Sequence, residues 1–185
     1  MMGTNFLGHF ALVAQLVPYL ASDARVVTVG SLAHRFAHLD PMAISAPWRG
    51  SSLRQYGRSK AAVMAFAFEL DRRWGDSSRS SVCAHPGYAV DPLTPHRDGV
   101  VEISGAVRAL AAVTRLVVQG KDGGAAPIVH AATEVEVVNG DYWGPSGLAE
   151  FRGAPTRVTA SDEVRSIRTG EAIWSAAETI TGVRF

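Results

Sequence analysis

The sequence predicts an α/β fold built on a parallel sheet, and three stretches predict it. Residues 25–30 (RVVTVG) and Ser80–Ala84 are short and apolar, as strands covered on both faces are. Between them, residues 53–73 (LRQYGRSKAAVMAFAFELDRR) are rich in helix formers, and Glu69 stands four residues before Arg73. Strand, helix and strand in that order make the repeating unit of a parallel sheet. Ligands of such sheets bind beyond the carboxyl ends of the strands.

The elements follow in order. Phe6, Leu7, Phe10, Val13, Ala14 and Val17 recur at helical spacing, which predicts a helix over residues 5–20. Thr4 or Asn5 is its expected N-cap, and Pro18 lies in its last turn. The first strand ends at Gly30-Ser31, and an irregular segment reaches residue 52. The next helix is apolar almost all the way round from Ala61 to Phe68, so it needs cover on both sides. A sheet supplies one side, and another helix or another subunit the other. The second strand closes at His85-Pro86-Gly87. Helices are expected over residues 103–119 and 124–132, and a brief strand at Tyr142-Trp143. Ser161 is the expected cap of one terminal helix running to about residue 179.

Composition narrows the function. The chain has 185 residues, 47% of them hydrophobic and 19% charged, which suits one ordinary globular domain. A net charge of +1 argues against nucleic acid or an anionic membrane as partner. The apolar run over residues 6–20 is interrupted by His9, Gln15 and Pro18 and is too short to span a bilayer. The first residues lack the basic start of a signal peptide. Cys83 is the only cysteine, which fits a reducing, cytoplasmic setting, and its strand-like neighbours make it a buried structural thiol.

Tyr56 and Lys60 lie one helical turn apart on one face. An ammonium beside a phenol favours the phenolate, which suits Tyr56 to give or take a proton as a general acid–base. The bland alternative is a surface tyrosine beside a solvated lysine. Lys60 and Lys121 are the only lysines among many arginines, and a compact ammonium is not interchangeable with a guanidinium. Ser31 and Pro86-Gly87 follow the two strand ends, so they could share one rim with Tyr56. His34 and His38 stand four apart, the spacing of a metal pair, but no carboxylate cluster accompanies them. They are read as loop residues, and no metal is expected.

Four segments together resemble the short-chain dehydrogenase/reductase family: Asn5-Phe-Leu-Gly-His-Phe10, Arg25-Val-Val-Thr-Val-Gly-Ser31, Tyr56-Gly-Arg-Ser-Lys60 and His85-Pro-Gly-Tyr-Ala89. They occur in family order. Ser31-Leu-Ala-His-Arg35 and the 25-residue step from Ser31 to Tyr56 look like its retinol-dehydrogenase-like branch. The resemblance implies the carboxyl-terminal part of a doubly wound, Rossmann-like parallel sheet. It implies an oxidoreductase that interconverts an alcohol and a carbonyl compound with NAD or NADP. Tyr56 would be the acid–base, and Lys60 would assist it and hold the nicotinamide ribose. Ser31 would bind the reacting oxygen, Asn5 would anchor a water leading to Lys60, and Pro86 and Gly87 would line the nicotinamide face.

Two departures from the family pattern stand out. Asp91, followed by Pro92, occupies the place of a threonine that holds the carboxamide. The family's glycine-rich pyrophosphate turn does not precede Asn5, and Gly140, Gly144 and Gly147 do not replace it. The expectation is therefore one partial domain over residues 1–185, with an irregular and helical tail from about residue 145. Alone it should bind the dinucleotide weakly and should self-associate. The alternative is a truncated, non-catalytic member acting as a dimerising partner.

Overall fold

Among the described residues four strands form one sheet: β1 (Arg25–Val29), β2 (Ser80–Ala84), β3 (Tyr142–Pro145) and β4 (Pro155–Arg157), neighbours in that order. The computed structural model describes residues 1–46, 50–90, 105 and 118–185. β1 and β2 are parallel, with Val27 opposite Val82, and β2 and β3 are parallel, with Cys83 opposite Tyr142. β4 runs antiparallel to β3, a strand the sequence pattern did not indicate. The reversal has a simple cause, because a short connection can join antiparallel strands but not parallel ones. Pro155, which has no N–H to give, opens this edge strand.

The α-helices with described bounds are α1 (Gly8–Leu16), α2 (Ser52–Trp74), α3 (Lys121–Thr133), α4 (Asp162–Arg165) and α5 (Ile167–Thr181). The Ser51 hydroxyl caps α2 by accepting the Arg54 N–H at 3.4 Å. At its other end the carboxylate of Glu69 holds both Arg72 and Arg73, at 2.8 and 2.7 Å.

Successive side chains of a strand point to opposite faces, and both faces of this sheet are covered. Cys83 and Tyr142 join the α2 core on one face, while Val82, Ala84 and Trp143 pack with Ala131 of α3 on the other. Every residue of α2 from Ala61 to Leu70 is buried. Its side away from the sheet is covered by α4 and α5 of the same chain, through Val164, Ile173, Trp174 and Ala177. Five aromatic rings close that contact. Phe10 and Phe66 meet Trp174 at 5.3 and 5.7 Å between centroids, and Phe185 lies tilted against Trp174 at 4.3 Å. Phe6 completes the group against Phe10 and Phe66.

Three expectations change. The first helix begins ahead of both proposed caps, with a π turn over Gly3–Leu7 and no side-chain cap. Asn5 is inside that turn, and its amide is engaged elsewhere. The terminal helix is two helices: the chain is extended at Ser166 (ψ 128°), and the Ser166 hydroxyl caps α5 by accepting the Thr169 N–H. Ser161 makes no side-chain cap, and its N–H instead reaches His34. The helix expected over residues 124–132 extends over Lys121–Thr133. Most of the helix expected over residues 103–119, together with Asp91 and Pro92, lies outside the described residues.

The sides of the sheet differ in cover. Val29 of β1 is 40% exposed, and Leu12 and Leu16 of α1 are also exposed, whereas Cys83 in β2 is wholly buried, which raises its thiol pKa. Among the described residues no helix is long and apolar enough to cross a membrane.

Candidate active site

Helix α2 runs so that Tyr56 and Lys60 stand at its amino-terminal end, beside the carboxyl end of β1. The Lys60 ammonium donates to the carbonyl of Val29, the last β1 residue, at 2.8 Å, and lies 5.8 Å from the centre of the Tyr56 ring. Burial pulls the ammonium below the ordinary lysine pKa, because leaving water disfavours the charged form. Asn5 reaches the same helix from the other direction. Its amide donates to the Ser59 hydroxyl at 2.9 Å, and that hydroxyl donates to the Tyr56 carbonyl at 2.8 Å. Asn5 and Lys60 also line one cavity of about 140 Å3, together with His9, Val27 and Val29.

Ser31 is the first residue beyond Gly30, with extended backbone (φ −163°), and it caps a short 3-10 segment, Leu32–Phe36. Its hydroxyl accepts the Ala33 N–H at 3.2 Å. That segment packs on α2 through Gly57, where a Cβ would strike the Ala33 carbonyl oxygen and the Ala37 methyl. Only the missing side chain lets the Ser31 loop come down on the turn that carries Tyr56. Below the loop, buried His34 donates from Nδ1 to the Ser31 carbonyl at 2.6 Å and accepts the Ser161 N–H on Nε2 at 3.2 Å. Burial, opposed by that hydrogen bond, lowers its pKa. His38 points elsewhere, to Glu163 at 2.7 Å. The two histidines therefore separate, because the 3-10 segment ends at Phe36 before a second helical turn can align them.

At the end of β2, Gly87 takes φ 64°, and a Cβ there would meet the Phe151 and Glu150 carbonyl oxygens. The preceding His85 is fully buried, and it accepts the Gly87 N–H on Nδ1 at 3.2 Å. The proton is thereby on Nε2, which donates to Glu150 at 3.1 Å. Burial drives the His85 pKa down to about 4 in spite of Glu150. Glu150 also takes Arg35 from the Ser31 loop, at 2.8 Å. Sequence reading noted His85 only as a neighbour of Pro86 and left Glu150 and Arg35 unassigned.

Gly144 and Gly147 do not form a phosphate-binding turn. Gly144 lies within β3 against the His85 ring, where a Cβ would overlap Nε2, and Gly147 pairs with the Arg152 carbonyl in the β3–β4 connection.

No family model matches the chain. Among known proteins it is 33% identical to polyprenol dehydrogenase of Mus musculus and 30% identical to retinol dehydrogenase 13 of Homo sapiens, over 98% of its length in each case. It spans 53% of each, about half the length of these curated relatives. A solved structure of an uncharacterised protein from Mycobacterium paratuberculosis superposes on the whole chain and on 59% of its own, with a TM-score of 0.71 at 28% identity. Sheet, covering helices and relatives agree: the fold is part of a Rossmann-like α/β domain, and the chain belongs to the short-chain dehydrogenase/reductase family.

Proposed function

We propose that the chain carries the reaction centre of an NAD- or NADP-dependent oxidoreductase interconverting an alcohol and a carbonyl compound. The observation that carries this is the position of Lys60. A half-buried ammonium stands at the β1 end, one turn from Tyr56 and on one cavity wall with Asn5. Tyr56 exchanges a proton with the substrate oxygen as general acid–base, Ser31 hydrogen-bonds that oxygen, and the Lys60 ammonium stands 5.8 Å from the centre of the Tyr56 ring. The cavity between Asn5 and Lys60 is polar at both, so it suits a water through which the proton returns to solvent.

The residues fit the nicotinamide end of a dinucleotide. Lys60 keeps two N–H groups beyond its bond to Val29 for a ribose, and the side-chain-free face of Gly87 gives close approach at the β2 end. When bound, the dinucleotide supplies or takes the hydride. Lys60 would hold its ribose, and Pro86 and Gly87 would line its nicotinamide face.

The test is calorimetry with both dinucleotides, beside alcohol-oxidation assays, on residues 1–185 and on the same chain joined to its upstream coding sequence. Binding and turnover are expected for the longer chain, with Tyr56→Phe lowering kcat by about 10²–10⁴-fold. Turnover that survives Tyr56→Phe would falsify the assignment.

A second reading is a non-catalytic, dimerising chain, favoured by the exposed Leu12, Leu16 and Val29. It predicts self-association without dinucleotide affinity in either length. Sedimentation at micromolar concentration showing a monomer removes it.

A further inference from the structure

We infer that Glu150 is a positioning residue, whose carboxylate locks the Ser31 loop to the Pro86-Gly87 turn. The inference rests on the oxidoreductase reading of that rim and adds to it a role for the segment after β3. One carboxylate oxygen takes Arg35, four residues beyond Ser31, at 2.8 Å. The other takes His85 Nε2 at 3.1 Å, and His85 in turn holds the Gly87 N–H. Three segments far apart in sequence thus meet on one side chain that is largely covered.

The backbone supports this use of Glu150. Ala149 and Glu150 have φ of 52° and 59°, the left-handed region that residues with a Cβ seldom adopt. Such geometry persists only where the surroundings over-determine it. Here the surroundings are visible. The Tyr88 N–H donates to the Phe151 carbonyl at 2.8 Å, and Arg35 also donates to the Thr159 carbonyl at 3.0 Å. His34 adds a parallel tie from the Ser31 carbonyl to the Ser161 N–H. The segment over residues 148–161 therefore clasps both loops from outside. A buried imidazole kept neutral beside it holds a single tautomer, so the Gly87 N–H always finds an acceptor.

The experiment is amide hydrogen exchange on the whole chain, combined with nitrogen-15 shifts of the His85 ring, in Glu150→Ala, Glu150→Gln and Arg35→Met. Gln can still accept from His85 Nε2 but cannot ion-pair with Arg35, so the two arms separate. In Glu150→Ala, exchange at Gly87 and Ala33 is expected to rise about tenfold or more, while Gly170 in α5 keeps its rate. In Glu150→Gln only Ala33 accelerates and the His85 ring keeps its Nε2 proton. Arg35→Met repeats that pattern. Unchanged exchange at Gly87 and Ala33 in Glu150→Ala, or equal acceleration at Gly87, Ala33 and Gly170 in every variant that folds, overturns the inference. None of these readouts needs a bound dinucleotide. They can hold while the oxidoreductase reading fails, and the Tyr56→Phe assay decides that reading separately.

Discussion

β1 and β2 are parallel neighbours of equal length, yet they live in different surroundings. β2 is buried from Ser81 to Ala84, with α2 on one face and α3 on the other. Among the described residues β1 has β2 on one side only and ends with Val29 40% exposed, and Leu12 and Leu16 of α1 are exposed as well. The more β-branched of the two, RVVTV, is the less covered. Local sequence therefore says that a segment is a strand, while cover is decided by elements that arrive much later in the chain. Stability should concentrate behind β2, and the β1 side should tolerate change.

The sharpest way to break this contrast is Phe66→Ala. Phe66 packs against both Phe10 and Trp174 where α2 meets α5, so its loss should cost about 3–5 kcal/mol, read by urea unfolding. A cost as small as that of a surface substitution would show that the α2–α5 contact is not the core. Next comes Gly57→Ala, which forces a methyl into the Ala33 carbonyl. It should destabilise by roughly 1–3 kcal/mol and shift the Ser31 and Ala33 amide resonances, leaving those of β2 in place.

Acid should act on the same rim. Burial lowers the folded-state pKa of His85 to about 4 from 6.5, and lowers that of His34 as well. The unfolded chain then binds protons that the folded one excludes, so stability is complete above about 6.5 and declines as pH falls toward 4. Thermal melts across that window, for the wild type and His85→Asn, check the sign, and the variant should lose part of the slope. The smallest effect belongs to the β1 side. Leu16→Ser should change stability by no more than about 0.5 kcal/mol while reducing self-association in sedimentation.

Much of the framework was legible in the sequence for reasons the structure makes plain. Residues 53–73 read as a helix because propensity, the Glu69–Arg73 pair and the apolar run agree, and the helix observed differs by one residue at each end. The β1 and β2 segments fell within a residue of their observed bounds. The break at Ser166 was missed because no glycine or proline marks it, although Ser166 is itself a good cap. β4 was missed because three residues opening with proline carry no strand signal. In the candidate site, Tyr56 and Lys60 showed themselves by helical spacing, which is local. Arg35, His85 and Glu150 did not, because they are joined across 115 and 65 residues, and no periodicity reaches that far. Asn5 looked like a cap, yet its amide binds Ser59, 54 residues away.

Cys83 gives the inner strand a clock. It is the sole sulfhydryl of the chain and is wholly buried, where burial holds the thiol protonated. An alkylating reagent can reach it only after β2 has parted from α2. When the chain recloses faster than the reagent reacts, the labelling rate reports how often that parting occurs, in free-energy terms. With excess reagent it reports the rate of parting itself. The chain thus carries, without any added label, a chemical gauge of how often its centre opens.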